Sequence, residues 1–124
     1  MSFVLLKKQI INSYGGDLLD FVKRQNETIH IGSDFMRAYH VSDDMDISHA
    51  TCECKLRSQT GKLLAIAQTE IVENTIYVRF NKDVTLTIPK SCLKGKYDVF
   101  ITINSYTFKI VMGDVKIVHD VSMH

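Results

Sequence analysis

From about residue 50 the chain alternates apolar and polar side chains with period two, the mark of strands with one buried face. Ala50, Cys52, Cys54 and Leu56 share one face, and Thr51, Glu53, Lys55 and Arg57 share the other. Ser58-Gln59-Thr60-Gly61 predicts a hairpin turn, with Leu63 to Ile71 as the return strand. After a turn at Glu73-Asn74, Ile76, Val78 and Phe80 alternate with Tyr77 and Arg79. Asn81-Lys82-Asp83 breaks that strand. Val84, Leu86 and Ile88 predict another, ended by Pro89, which cannot donate to a ladder. Lys90 to Gly95 reads as a basic loop, and Tyr97, Val99, Ile101 and Ile103 as the next inward face. Asn104-Ser105 suits a two-residue turn, although it lacks the favoured glycine. Tyr106, Phe108, Ile110 and Met112 return. Gly113 interrupts them and predicts a bulge or a close backbone approach. Val115 and Ile117 lead to a short tail, Asp120 to His124.

The first 49 residues are less regular. Thr28 to Val41 reads as extended, with Gly32 near its middle, and Asp43-Asp44-Met45-Asp46 as an acidic turn. Asp17 before Leu18, Leu19, Phe21 and Val22 fits an N-capped helical turn or a first strand. Residues 1–16 read as an arm or extension, closed by Gly15-Gly16, and residues 17–124 as the domain. Seven or eight short strands, at most one helix and no strand–helix–strand alternation predict an all-β sandwich or small barrel. The expected form is an immunoglobulin-like antiparallel β-sandwich.

Composition narrows the function more than the fold. A chain of 124 residues fits one core. Such a chain buries roughly two thirds of its unfolded surface, so it needs no metal or disulfide to fold. Its 15 basic and 14 acidic residues leave a net charge of +1. That balance argues against nucleic acid as a partner through a strongly basic face, while leaving room for a local patch. No run of 18 apolar residues occurs, so no membrane partner is expected. The N-terminus places Lys7-Lys8 after its apolar run, the reverse of a secretory signal, so folding in a cytoplasm is expected.

Candidate chemistry is sparse. Phosphate-loop, dinucleotide, zincin and nucleophile-elbow motifs do not occur, and no enzyme activity is expected. His49, Cys52 and Cys54, with Cys92 and His119 further off, are the one set worth weighing for zinc. Mid-strand cysteines on one face fit core packing better, so no metal or cofactor is expected. Asp43, Asp44 and Asp46 lack the glycine and glutamate of a calcium loop. Lys90, Lys94 and Lys96 flank one loop and suit phosphate or an acidic partner, against the plainer reading of a solvated loop. Tyr77 and Phe100 fall on outer faces, as a sugar platform, a protein interface, or inward residues in a shifted register.

The order of several short stretches resembles a known group. These are Thr28 to Phe35, the strand ending in Arg57, and Gly61-Lys62-Leu63-Leu64. Asp83 to Pro89, Leu93 to Val99 and Ile110 to Ile117 follow. Over residues 18–118 they are similar to the small β-sandwich virion proteins of tailed bacteriophages, which include collar and tail-fibre-attachment proteins. Asp46-Ile47-Ser48-His49 departs from the group's pattern by lacking a glycine. The resemblance implies a non-enzymatic tail, collar or baseplate adaptor located in the virion. Its implied partners are other virion proteins and further copies of itself. A carbohydrate- or receptor-binding sandwich is the alternative. Within either, Gly95 is expected to turn the chain so that Tyr97 points inward and bonds nearby backbone, like a tyrosine corner.

Overall fold

The computed structural model describes residues 2–6, 22–43 and 45–119. Among them are β1 (Ser2–Leu6), β2 (Lys23–Arg24), β3 (Glu27–His30), β4 (Phe35–Val41) and β5 (Thr51–Ser58). Then come β6 (Leu63–Ile66), β7 (Gln68–Val72), β8 (Thr75–Phe80), α1 (Lys82–Thr85), β9 (Lys94–Ile103) and β10 (Tyr106–Val118). The smaller sheet has the order β1-β4-β8-β7, and the larger has β2-β10-β9-β5-β6 with β3 also paired along β10. Neighbours are antiparallel except where β1 joins β4 and where β2 and β3 join β10. Tyr39, Ile76, Val78 and Phe80 of the smaller sheet share one buried cluster with Leu56, Val99, Ile101 and Val111 of the larger. The fold is an all-β two-sheet sandwich, as the period-two alternation requires.

The β9–β10 hairpin carries the longest stretch of this pattern. Along β9, Gly95, Tyr97, Val99, Ile101 and Ile103 are buried, and the residues between them are exposed or half-buried. Asn104 and Ser105 both take positive φ, 49° and 72°, the conformation a two-residue hairpin turn demands. In β10 the register slips between Lys109 and Val111. That bulge lets two consecutive residues, Ile110 and Val111, point inward. It also reverses the alternation beyond it. Met112, expected inward, therefore lies on the outer side opposite Asp98, and Gly113, Val115 and Ile117 are the inward set.

Gly113 marks a close approach rather than the bulge itself. A Cβ there would sit 1.9 Å from the Gln25 carbonyl oxygen. Gly95 lies inside β9, not in a turn, and a Cβ there would sit 2.6 Å from the Arg57 carbonyl oxygen. Tyr97 does point inward, and its hydroxyl donates to the Gln25 carbonyl at 2.7 Å. That partner lies 72 residues away along the chain, so the bond ties β9 to the β2–β3 link instead of closing a local corner. Arg37 of β4 reaches Glu27 of β3 through two bonds, 2.7 and 2.8 Å long, and so joins the two sheets. Its guanidinium also lies 4.2 Å from the centre of the Phe35 ring.

Three readings of the pattern are corrected. The segment expected as a strand through Val84, Leu86 and Ile88 is instead α1 and the turns after it. Asn81 takes an extended conformation and its side chain accepts from the Val84 amide at 3.0 Å, an N-cap. The apparent break at Asn81-Lys82-Asp83 is thus a helix start. Thr85 is fully buried while Leu86 is 57% exposed, the reverse of the expected alternation. Thr85 Oγ1 accepts from the Gly32 amide at 3.0 Å, which explains a polar residue at that depth. Second, the return strand from Leu63 to Ile71 divides at Ala67 and passes from the larger sheet to the smaller. Third, Lys94 belongs to β9, so the basic loop is shorter than expected.

Ser2–Leu6, read as part of an arm, pairs with Arg37 to Val41 as strand β1. The alternatives at Asp17, the Gly15-Gly16 boundary and the tail Asp120 to His124 lie outside the described residues.

Candidate functional site

The outward side chains of the larger sheet stand in rows across the strands. Outward neighbours are about 4.8 Å apart between strands and about 6.8 Å apart along one. One row runs Lys55, Asp98, Met112, Arg24. The next runs Arg57, Lys96, Asp114, and beyond it Lys94 faces Lys116. On the other side Glu53, Phe100 and Lys109 form a row. These positions hold seven basic residues and three acidic ones. Removing those from the chain's 15 and 14 leaves 8 basic against 11 acidic elsewhere. The overall balance therefore conceals a cationic face.

Part of the acidic complement is already engaged. Lys109 is 3.8 Å from Asp98, and Lys55 is 2.8 Å from Glu53. Lys94, Lys96 and Lys116 have no ion-pair partner among the described residues. Arg57 bonds the Gly61 carbonyl at 3.3 Å, and Arg24 reaches the Met112 sulfur at 3.9 Å. Neither guanidinium meets a carboxylate among the described residues. Arg24, Arg57, Lys96 and Lys109 line one concavity of about 430 Å³, walled by the Ser58–Gly61 turn. A larger open groove of about 1100 Å³ continues past Gln59 and Asp114 to Lys94 and Lys116.

The expected interface residues divide between places. Lys94, Lys96 and Phe100 come together on the outer side of β9. Lys90 is exposed on the turn after Pro89, outside these rows. Tyr77 lies on the outer side of the smaller sheet, opposite Ala38 and Glu70. Tyr77 and Phe100 thus occupy opposite faces and make no joint platform. Phe100 is half-buried, with the Lys109 ammonium 5.4 Å from its ring centre. A second aromatic pair, one ring exposed and one half-buried against the core, lies elsewhere. Tyr106, 69% exposed at the hairpin tip, stacks on Phe108 with ring centres 6.4 Å apart. Alternation placed both on an inward face. Tyr106 keeps that face but stands at the hairpin tip, opposite Ile103 and beside the turn, where it is left exposed. Nothing in the local sequence marks Arg24, Arg57 and Lys109 as site residues, because only the strand order brings them beside Lys96.

The weighed metal ligands are dispersed. Cys54 is buried, Cys52 half-buried and His49 exposed. Burial pushes the Cys52 thiol up to about 12 and raises Cys54 as well, which favours neutral thiols. Cys92 donates to the Lys94 carbonyl, and the His119 ring lies 2.9 Å from the Cys92 carbonyl. No group of three or more His, Cys, Asp or Glu among the described residues is placed to hold a metal ion. Among the described residues no helix is long and apolar enough to cross a membrane. Comparison with protein-family models and with curated proteins finds no match for the chain.

Proposed function

We propose that the chain is a non-enzymatic structural component of a bacteriophage virion, a tail, collar or baseplate adaptor that assembles with other virion proteins and with copies of itself. The observation that carries this reading is the interlock of the residues behind the resemblance. Gly95, Tyr97 and Gly113 come from two of its separate stretches. Tyr97 and Gly113 close on the same Gln25 carbonyl, and Gly95 admits the backbone of β5. A motif whose members pack together is better support than scattered identities. The sandwich alone would carry no function, since that architecture serves many. Among the described residues β6 and β1 stand at sheet edges and offer strand addition, a common way for such modules to join neighbours.

Mass spectrometry of particles purified from the phage or prophage that encodes the chain tests the reading. The chain's peptides are expected in stoichiometric amount with tail or neck proteins. Their absence from intact particles would overturn it. Light scattering on the purified chain tests the self-assembly part, where a defined multimer is expected and a strict monomer removes that part.

Recognition of a carbohydrate or receptor is the second reading, favoured by the stacked Tyr106–Phe108 pair. Aromatic faces of this kind stack on sugars or pack into partner pockets. Saturable glycan binding lost in Tyr106→Ala would favour it over the adaptor.

A further inference from the structure

We propose that the cationic groove on the outer side of the larger sheet binds an acidic, extended peptide segment of a protein partner. This deepens the adaptor reading, on which it rests for the partner being a protein, by naming the chemistry of what docks.

Three observations lead there. First, Arg24, Arg57 and Lys96 surround one concavity and have no carboxylate partner among the described residues. A guanidinium fork pairs with a carboxylate through two parallel bonds, so two such forks facing one hollow are suited to bind oxyanions. Second, the cations continue out of the hollow in register. Lys94 follows Lys96 by one outward step of β9, and Lys116 stands beside Lys94. The step of about 6.8 Å equals the spacing of same-side residues on an extended peptide. Third, the wall is polar and neutral. Ser58, Gln59 and Thr60 border the concavity and can meet a peptide backbone.

Nucleic acid has similar charge spacing, but the groove is poorly built for it. Asp98 and Asp114 lie among the cations and would repel a chain charged at every unit. A peptide can place an uncharged or basic residue against them. Single-stranded nucleic acid also gains affinity by stacking bases on open aromatic rings. The one aromatic ring in these rows, Phe100, is half-buried beneath the Lys109 ammonium.

Fluorescence anisotropy with a Glu-Ser peptide of about ten residues, with Glu at the outward steps that meet Lys94 and Lys96 and Ser at the step that meets Asp98, tests the proposal. The controls are the Gln-Ser counterpart and oligothymidylate of equal charge. Saturable binding of the Glu-Ser peptide is expected, at least about tenfold tighter than oligothymidylate, and weakened as salt rises from about 50 to about 300 mM. Lys96→Glu should weaken it at least about tenfold, with the thermal midpoint unchanged because that side chain is exposed. Arg57→Ala should act in the same direction, and Lys82→Ala, on α1 outside the groove, should have no effect. No binding of the Glu-Ser peptide, equal binding of oligothymidylate, or unchanged affinity in Lys96→Glu would each overturn the proposal. A chain that belongs to particles yet ignores the peptide refutes the groove and keeps the adaptor. A chain that binds the peptide but is absent from particles does the reverse.

Discussion

The two sides of β9 alternate residue by residue, yet different constraints govern them. Tyr97, Val99 and Ile101 on the inner side are at most 5% exposed and meet residues from both sheets. Lys94, Lys96, Asp98 and Phe100 on the outer side stand beside side chains of the neighbouring strands and are exposed or half-buried. The inner side is fixed by volume, because a packed interior tolerates neither a gap nor an added methyl group. The outer side is fixed by charge placement, which costs the fold little and leaves the sequence free to answer a partner. Packing and surface charge therefore occupy one strand without competing.

The largest effect is collective. Burial raises the Cys54, Tyr39 and Tyr97 groups and pushes the Cys52 thiol up to about 12. An acid raised in the folded state contributes stability that is complete below its unfolded value and lost as pH climbs through the folded one. For Cys52 that window opens near 9.0 and closes near about 12. Thermal midpoints should therefore stay level up to pH 9.0 and fall steeply above it. A flat profile to about 12 would contradict the burial of these groups.

Next is Ile101→Ala, which empties a fully buried site and should cost about 4 kcal/mol by denaturant unfolding. Lys96→Ala, one strand face away, should change stability by no more than about 0.5 kcal/mol. Equal costs would erase the contrast between the two sides.

Gly113→Ala should cost about 3 kcal/mol, because the new methyl group meets the Gln25 carbonyl and pushes β2 from the sheet. Loss of amide protection at Gln25, whose N–H bonds the Met112 carbonyl at 2.9 Å, would locate the damage by hydrogen exchange.

Tyr97→Phe and Tyr39→Phe form a smaller pair. The Tyr97 hydroxyl bonds Gln25, so its loss should cost about 1.5 kcal/mol. The Tyr39 hydroxyl is fully buried beside the Tyr97 hydroxyl, whose proton is already given to Gln25, and makes no hydrogen bond of good geometry among the described residues. Removing it should leave stability within about 0.5 kcal/mol of the parent or raise it. The smallest expected effect is at the hairpin tip. Ser105 holds a φ of 72°, which glycine adopts freely, so Ser105→Gly should stabilise by about 0.5 kcal/mol.

Much of the fold was legible in the alternation. The inward set of β9, the Asn104-Ser105 turn and the face shared by Cys54 and Leu56 all follow from period two. The failures share a cause. Val84, Leu86 and Ile88 mimic a strand, but a capping bond from Asn81 and the pull of Gly32 on Thr85 override that local signal. In β10 a single extra residue at the bulge moved Met112 outward, and pattern reading cannot locate such a slip in advance.

Alternation is a local property of neighbouring residues, so the strand-built character of the chain and the buried faces of its regular strands, such as β9, are written in the sequence. Which strands lie side by side is a property of the whole fold, and that adjacency assembles the candidate site. Arg24, Arg57, Lys96 and Lys109 come from four separate strands or strand segments, and their shared concavity exists only through the order β2-β10-β9-β5. Strand order follows from long-range packing, where each pairing depends on every other, so no single stretch of sequence records it.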